Sequence, residues 1–109
     1  NTINPELAQD ISENPTIKIT KGQVNHIKVK ETGIYSIYVK FRSNATNLSQ
    51  TTCNVMINGQ LMMTIQVTST QGKWETRQVS KINIEEGLHE IELDFVKSGI
   101  EIDHIEFRK

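Results

Sequence analysis

The chain has 109 residues, and its 12 lysine and arginine residues against 13 aspartate and glutamate residues give a formal net charge of −1. A chain of this length usually forms one domain, so we expect a single domain over residues 1–109. Because its charges are balanced, the chain has no excess of basic residues of the kind that binds nucleic acid or anionic membranes. We therefore expect neither partner.

Targeting and cysteine signals narrow the possibilities further. No apolar run in the sequence approaches the roughly 18 residues of a membrane-spanning helix, and residues 1–15 lack the basic and apolar regions of a signal peptide. The single cysteine, Cys53, excludes an internal disulfide bond and a cysteine-based zinc site. Cys53 lies in the alternating segment TTCNVMI, which predicts a buried thiol.

The elements in chain order predict an all-β protein. Only residues 4–11, NPELAQDI, could form a short helix. Isoleucine, threonine and valine occur 15, 11 and 7 times, whereas leucine occurs 5 times, and β-branched residues favour strands. We predict about eight strands, near residues 16–20, 24–30, 34–42, 51–57, 60–68, 74–84, 88–96 and 100–107.

Period-two alternation predicts which side chains face the core. The inward sets are Tyr35, Ile37, Val39 and Phe41; Leu61, Met63, Ile65 and Val67; and Ile91, Leu93 and Phe95. Tyr38 falls on the opposite face of its strand. In the last strand, Ile100 and Ile102 differ in parity from Ile105 and Phe107, which predicts a β-bulge near Asp103–His104.

Turn signals separate the strands and define their connections. Asn58-Gly59 is the strongest hairpin signal, and Thr32-Gly33, Gln71-Gly72, Glu86-Gly87 and Ser98-Gly99 mark other turns. Short strands joined by such turns predict an antiparallel two-sheet β-sandwich of the jelly-roll type.

Several motifs in order resemble the carbohydrate-binding modules of the family 6, 35 and 36 group, which have a galactose-binding-domain-like jelly roll and are attached to bacterial glycoside hydrolases. They cover the C-terminal three quarters of the chain. The motifs are G-x-Y at 33–35, Asn58-Gly59, G-x-W at 72–74, G-x-H-x-I-x-L at 87–93 and a closing hydrophobic-Asp-x-hydrophobic strand around Asp103.

The resemblance implies that Trp74 stacks on a sugar from a loop at one end of the sandwich. In the family, a second aromatic residue from an N-terminal loop completes this platform, but here no aromatic residue precedes Tyr35. An asparagine before the closing aspartate binds the sugar in the family, and Glu101 stands at that position. Family members also bind a structural calcium ion through the closing aspartate, here Asp103, and an acidic first strand. Residues 1–12 contain no such strand, so we expect no cofactor and at most a modest effect of calcium.

A sugar site can also be argued from chemistry, because a pyranose presents flat C–H patches and hydroxyl groups to an aromatic ring and nearby polar groups. Trp74 with Glu101, Gln71 and Lys73 could provide both, and so could Lys97. The alternative is that Trp74 is a hydrophobic plug over the end of the sandwich. Tyr38 is a second candidate platform, although an exposed tyrosine could equally pack against a neighbouring domain.

Catalytic chemistry has weaker support. His26, His89 and His104 lie on three different predicted strands without the spacing of a metal site or a catalytic site. Nothing in the sequence places the carboxylate pairs Glu85-Glu86, or Glu101 with Asp103, in an apolar pocket that would raise a pKa for glycosidase chemistry. We therefore expect no catalytic residues.

Two functional classes remain open. The first is a non-catalytic module that binds an oligosaccharide or polysaccharide for an adjacent glycoside hydrolase domain in the same chain. The second is a structural sandwich that packs on such a catalytic domain without binding sugar. For either, the resemblance implies a secreted, periplasmic or cell-surface location within a larger bacterial protein.

Overall fold

The computed structural model describes residues 8–19, 23–44, 51–67, 69–95 and 100–109, and nine strands lie in these ranges. In chain order they are β1 Gln9–Asp10, β2 Thr16–Lys18, β3 Val24–Val29, β4 Gly33–Ser43, β5 Thr51–Ile57, β6 Gln60–Val67, β7 Glu75–Ile84, β8 Gly87–Phe95 and β9 Ile100–Arg108. Each of the eight predicted strands is present, and β1 is an addition.

The strands form two sheets that enclose one core. The five-stranded sheet has the order β1-β3-β8-β5-β6, and the four-stranded sheet has the order β2-β9-β4-β7. β1 runs parallel to β3, whereas the other paired strands are antiparallel. The predicted antiparallel β-sandwich is therefore confirmed.

The core consists of the inward faces of both sheets, as the alternation predicts. In β4, the strand with the clearest period-two pattern, each odd-numbered residue from Tyr35 to Ser43 is buried. The fully or almost fully buried side chains of the core include Ile27, Val29, Ile37, Val39, Phe41, Cys53, Val55, Ile91, Leu93 and Ile105. Burial raises the pKa of the Cys53 thiol to about 12, which agrees with an inert core cysteine.

The β5–β6 hairpin turns at the predicted Asn58-Gly59 pair. Both residues have left-handed backbone conformations, with φ of 52° and 80°. Two consecutive positive φ angles match the twist of the flanking strands, and asparagine followed by glycine adopts them most readily. The turn residues thus fix the register of the hairpin.

A β-bulge at Asp103 explains the change of parity in β9. Lys40 of β4 pairs with His104, and Phe41 pairs with Ile102, so Asp103 is the extra residue. Ile102 and Ile105 can therefore both face the core. The predicted bulge is confirmed.

A second bulge, which was not predicted, corrects the expected face of β6. Val55 pairs with Met63 and Met56 pairs with Leu61, which leaves Met62 as the extra residue. Leu61 is consequently turned away from the core and is 56% exposed, whereas Met63 is buried. The prediction that Leu61 shares the inward face was wrong, because one inserted residue reverses the alternation.

The expected N-terminal helix is wrong over its described part, residues 8–11; residues 4–7 lie outside the described ranges. Gln9 and Asp10 instead pair with β3 as β1. The Asp10 carboxylate accepts hydrogen bonds from the Ser12 N–H and hydroxyl at 2.9 and 2.6 Å, which favours a turn. Ile11 is buried in the core. Sheet pairing and burial therefore override the weak helical tendency.

Among the residues that the structure describes, no helix has the length and apolar character to span a membrane.

Replacement of Phe41 by alanine should destabilise the domain by about 3–5 kcal/mol, because Phe41 has no exposed area and alanine would leave a cavity. Urea denaturation would measure the loss. Ile34→Ala on the same strand is the control, since Ile34 is 64% exposed and its loss should cost less than about 0.5 kcal/mol. Equal effects of the two changes would contradict the assignment of faces. The structure does not describe the side chains of Phe95 and Val67, so their inward orientation stays a prediction.

Candidate functional site

The turn that precedes Trp74 is attached to the end of β4 by hydrogen bonds around Ser43. The Ser43 N–H donates to the Thr70 hydroxyl at 2.9 Å, and the Ser43 carbonyl accepts from the N–H groups of Thr70 and Gly72 at 3.0 and 3.2 Å. Ser43 and Thr70 are both buried. We call this set of contacts the Ser43 bracket; it determines where the chain enters β7.

Gln71 and Gly72 allow this turn to close. Their φ angles are 56° and 77°, in the left-handed region. The positive φ favours glycine at position 72, and a Cβ atom there would lie 2.9 Å from Oδ1 of Asn44, so the Asn44 side chain would have to move. The glycine of the G-x-W motif therefore has a local structural reason.

Trp74 lies immediately before β7 and is 40% exposed, and the cluster of buried residues that forms the core does not include it. Its ring lies beside outward-facing residues of β4: the Arg42 guanidinium is over the ring at 4.6 Å from the centroid, and the Lys40 ammonium is at 5.9 Å. Both distances are typical of cation–π contacts. The side chain is thus displayed at the end of the four-stranded sheet, with cations beside it.

Arg42 connects Trp74 to Glu101. The two residues Arg42 and Glu101 are register partners on β4 and β9. The Arg42 Nε and Nη2 atoms donate to the Glu101 Oε2 atom at 3.0 and 2.8 Å. Glu101 is therefore brought to the neighbourhood of Trp74, as predicted, but its direct partner is Arg42.

A cavity of about 170 Å³ adjoins this ion pair. It is lined by Arg42, Asn44, Ile100 and Glu101. Arginine supplies donors, glutamate supplies acceptors, and the asparagine amide supplies both. This mixture is suited to hydroxyl groups, which donate and accept hydrogen bonds.

The remaining predicted residues of the Trp74 loop are on the same turn. Gln71 and Lys73 are both exposed there. The Gln71 N–H donates to the Ser69 hydroxyl at 2.9 Å, and the Lys73 N–H donates to the Thr70 carbonyl at 3.1 Å. Lys97 lies outside the described residues.

Tyr38 also lies on the outer face of the four-stranded sheet, further along β4. Its hydroxyl is 3.2 Å from Oε1 of Gln78, and the Arg108 guanidinium lies over its ring at 3.9 Å from the centroid. Tyr38 is half-buried. Its ring is therefore more closely covered by arginine than that of Trp74.

The carboxylate of Asp103 contacts His104 and Lys18. Its Oδ2 atom is 2.8 Å from His104 Nδ1, and its Oδ1 atom is 3.6 Å from Lys18 Nζ. The hydrogen bond from His104, together with the nearby charges of Lys18 and Lys40, lowers the Asp103 pKa. Within the described ranges, no group of three or more histidine, cysteine, aspartate and glutamate side chains is arranged to hold a metal ion.

Larger cavities elsewhere in the described part of the chain offer no exposed aromatic face. One of about 410 Å³ is lined in part by Tyr35 and Phe107, but these rings are buried in the core. A second, of about 340 Å³, lies beside Lys28 and Leu88 and has no aromatic residue in its wall. A third, of about 250 Å³, also lacks an aromatic residue; it includes His89, whose ring nitrogens contact Asn58 and the Glu85 carbonyl. The Trp74 end is therefore the better candidate despite its smaller cavity.

Comparison with known proteins supports the fold. No protein-family model and no curated protein matches the sequence. A β-glucosidase from Paenibacillus barengoltzii contains a region 36% identical to this chain, with a TM-score of 0.78; the match covers 92% of this chain and 11% of the β-glucosidase. This chain thus spans about a tenth of that protein.

Two solved carbohydrate-binding modules of family 35 have the same fold. One, from an environmental isolate, is 20% identical over 79% of this chain and 64% of that chain, with a TM-score of 0.66. The other, from Clostridium thermocellum, is 14% identical over 85% of this chain and 87% of that chain, with a TM-score of 0.66. The fold of this chain is that of a carbohydrate-binding module.

Sequence reasoning did not identify Arg42 or Asn44 as parts of the candidate site. Arg42 is an ordinary outward-facing strand residue, and its proximity to Trp74 depends on the pairing of β4 with β7. Asn44 directly follows β4, and only the position of the Gly72 turn brings the two together. The one available signal was the even-numbered parity of Arg42, which places it on the same face as Tyr38 and Lys40.

Replacement of Thr70 by valine should destabilise the domain by about 1–3 kcal/mol, because it removes the hydroxyl that accepts a hydrogen bond from the buried Ser43 N–H. Thermal denaturation would measure the change. Thr76→Val is the matched control, because Thr76 is exposed on β7. If both variants were as stable as the wild type, the Ser43 bracket would not hold the turn.

Proposed function

We propose that this domain is a non-catalytic carbohydrate-binding module that serves a glycoside hydrolase. The single observation that carries this proposal is the partly exposed Trp74 ring, whose neighbour Arg42 also lines a polar cavity. A partly exposed indole provides the flat apolar surface that packs on the C–H face of a pyranose. The carbohydrate-binding-module fold is consistent with this use.

Polar groups beside the ring would orient the sugar. In this proposal Arg42, Asn44 and Glu101 bind hydroxyl groups from the adjoining cavity, and the exposed side chains of Gln71 and Lys73 contact the sugar from the turn. The ligand is an oligosaccharide or polysaccharide. Tyr38 is the second aromatic side chain on this sheet face and would contact a longer chain.

The adjacent partner is proposed to be a catalytic domain in the same polypeptide. This step rests on the 36% identity to a region of the Paenibacillus barengoltzii β-glucosidase. A module of this kind would act outside the cytoplasm, secreted or at the cell surface, where polysaccharides occur.

The same match also favours a second candidate, a domain that packs against a catalytic domain without binding sugar. In that case Trp74 and its neighbouring cations would contact protein. The two candidates differ in whether the isolated domain binds any glycan, so an affinity-gel or glycan-array screen separates them.

Replacement of Trp74 by alanine should weaken sugar binding by about 1 kcal/mol or more and leave the fold intact, because aromatic stacking would be lost from an exposed position. Isothermal titration calorimetry of wild type and variant with each glycan identified in the screen would measure binding, because the variant has no tryptophan whose emission could report it. Tyr38→Ala is the comparison, since it removes the other aromatic ring on the face.

The competing outcome is equally specific. A loss of stability of about 3 kcal/mol or more in Trp74→Ala, with no glycan bound by the wild type, would identify Trp74 as a structural plug. The bracing function would then replace the binding function.

The isolated domain should not hydrolyse aryl glycosides. Glu101 is engaged by Arg42 and is 64% exposed, an environment unlike the apolar pocket that gives a glycosidase its general acid. Release of nitrophenol from a panel of nitrophenyl glycosides would be the assay. Turnover that Glu101→Gln abolished would refute the assignment as a non-enzyme.

A further inference from the structure

Carboxylates of β9 oppose the cations on the outer face of the four-stranded sheet. Glu101 binds Arg42 at 2.8 Å, and Glu106 binds Arg108 at 2.8 Å. Asp103 binds Lys18 at 3.6 Å. The arrangement balances the charge of a face on which both Trp74 and Tyr38 are displayed.

Lys40 is a further cation of this face. Its ammonium lies 5.9 Å from the centroid of the Trp74 ring. Its charge is one of the influences that lower the pKa of Asp103. Of the two cations beside Trp74, Arg42 is the one that a β9 carboxylate contacts directly.

Arg42 is the cation nearest the Trp74 ring, and its guanidinium is already bound by the Glu101 carboxylate. Two of the guanidinium N–H donors converge on one Glu101 oxygen, and the same guanidinium lies over the Trp74 ring. A planar guanidinium is well suited to bind the carboxylate of a ligand. In this domain that position is taken by the protein's own carboxylate.

We propose that Glu101 is a specificity-determining residue that makes the Trp74 site accept neutral sugars and exclude acidic ones. An acidic sugar at this site would have to displace Glu101 from Arg42 or lie next to its negative charge. Either event disfavours the acidic ligand relative to its neutral analogue. This inference rests on the proposed sugar-binding function.

The substitution Glu101→Gln tests the proposal, because glutamine keeps the size of the side chain and removes the charge. The probes are pairs of sugars that differ at C6: glucose with glucuronate, galactose with galacturonate, and mannose with mannuronate. Wild type should prefer the neutral member of whichever pair binds. The variant should shift that preference towards the acid by roughly tenfold or more, since a charge-assisted hydrogen bond becomes available.

An anion titration tests the role of Glu101 without any sugar. Acetate, a minimal carboxylate, should perturb the Trp74 emission saturably in Glu101→Gln at constant ionic strength, because it can bind Arg42 beside the ring. Wild type should show no saturable response over the same range. The double variant Arg42→Gln with Glu101→Gln should lose the response.

Glu106→Gln is the matched control. It removes the same charge from the same strand and releases an arginine on the same face, but Arg108 lies over Tyr38. Acetate should leave the Trp74 emission of this variant unchanged, which separates a local effect of Arg42 from a general change in surface charge.

The outcomes of these experiments distinguish the role of Glu101 from the proposed sugar-binding function. An acetate response in Glu101→Gln that depends on Arg42 shows that Glu101 keeps carboxylates away from Arg42; if no sugar binds, the carbohydrate function has failed and only this exclusion of carboxylates stands. An identical acetate titration in wild type and Glu101→Gln, or an unchanged preference between acid and neutral sugar, would overturn the proposal.

Discussion

The alternation of β4 is the constraint on which both the core and the candidate site depend. Phe41 and Arg42 are consecutive residues, yet one is fully buried between the sheets and the other lies against Trp74 on the outside. Side chains of a strand alternate between its two faces. Burial of the odd-numbered residues from Tyr35 to Phe41 on one face therefore places Tyr38, Lys40 and Arg42 on the other. The packing energy of the core thereby positions the cation beside Trp74.

A second level of order comes from the Ser43 bracket at the end of the same strand. A loop can hold an aromatic ring for recognition only if its backbone is itself held in place. Ser43 and Thr70 are buried polar residues whose hydrogen bonds connect the Gly72 turn to β4. These hydrogen bonds therefore hold the turn before Trp74 against the sheet, although Trp74 itself lies outside a strand.

The sequence was sufficient to predict the strands, the Asn58-Gly59 hairpin and the bulge at Asp103, because each has a local signal in alternation or turn residues. It was insufficient for the bulge at Met62, where three consecutive apolar residues conceal the change of face, and for β1, whose pairing depends on a distant strand. The Arg42–Glu101 pair depends on a register between β4 and β9 that no local pattern specifies. The sequence thus predicted Trp74, Glu101, Gln71 and Lys73 of the candidate site, but not Arg42 and Asn44, whose proximity to them depends on strand pairing.

The register also bears on two departures from the site pattern that the sequence resemblance implies. Glu101 stands where an asparagine is expected, and Arg42 is its register partner. A glutamate at this position satisfies an arginine that would otherwise leave a positive charge beside the indole. The expected second aromatic residue is absent before Tyr35, and the Arg42 guanidinium lies over the Trp74 ring at 4.6 Å from the centroid. Arg42 thus contacts both Trp74 and Glu101, so a glutamate in place of the implied asparagine sets a carboxylate against the arginine that lies over the ring.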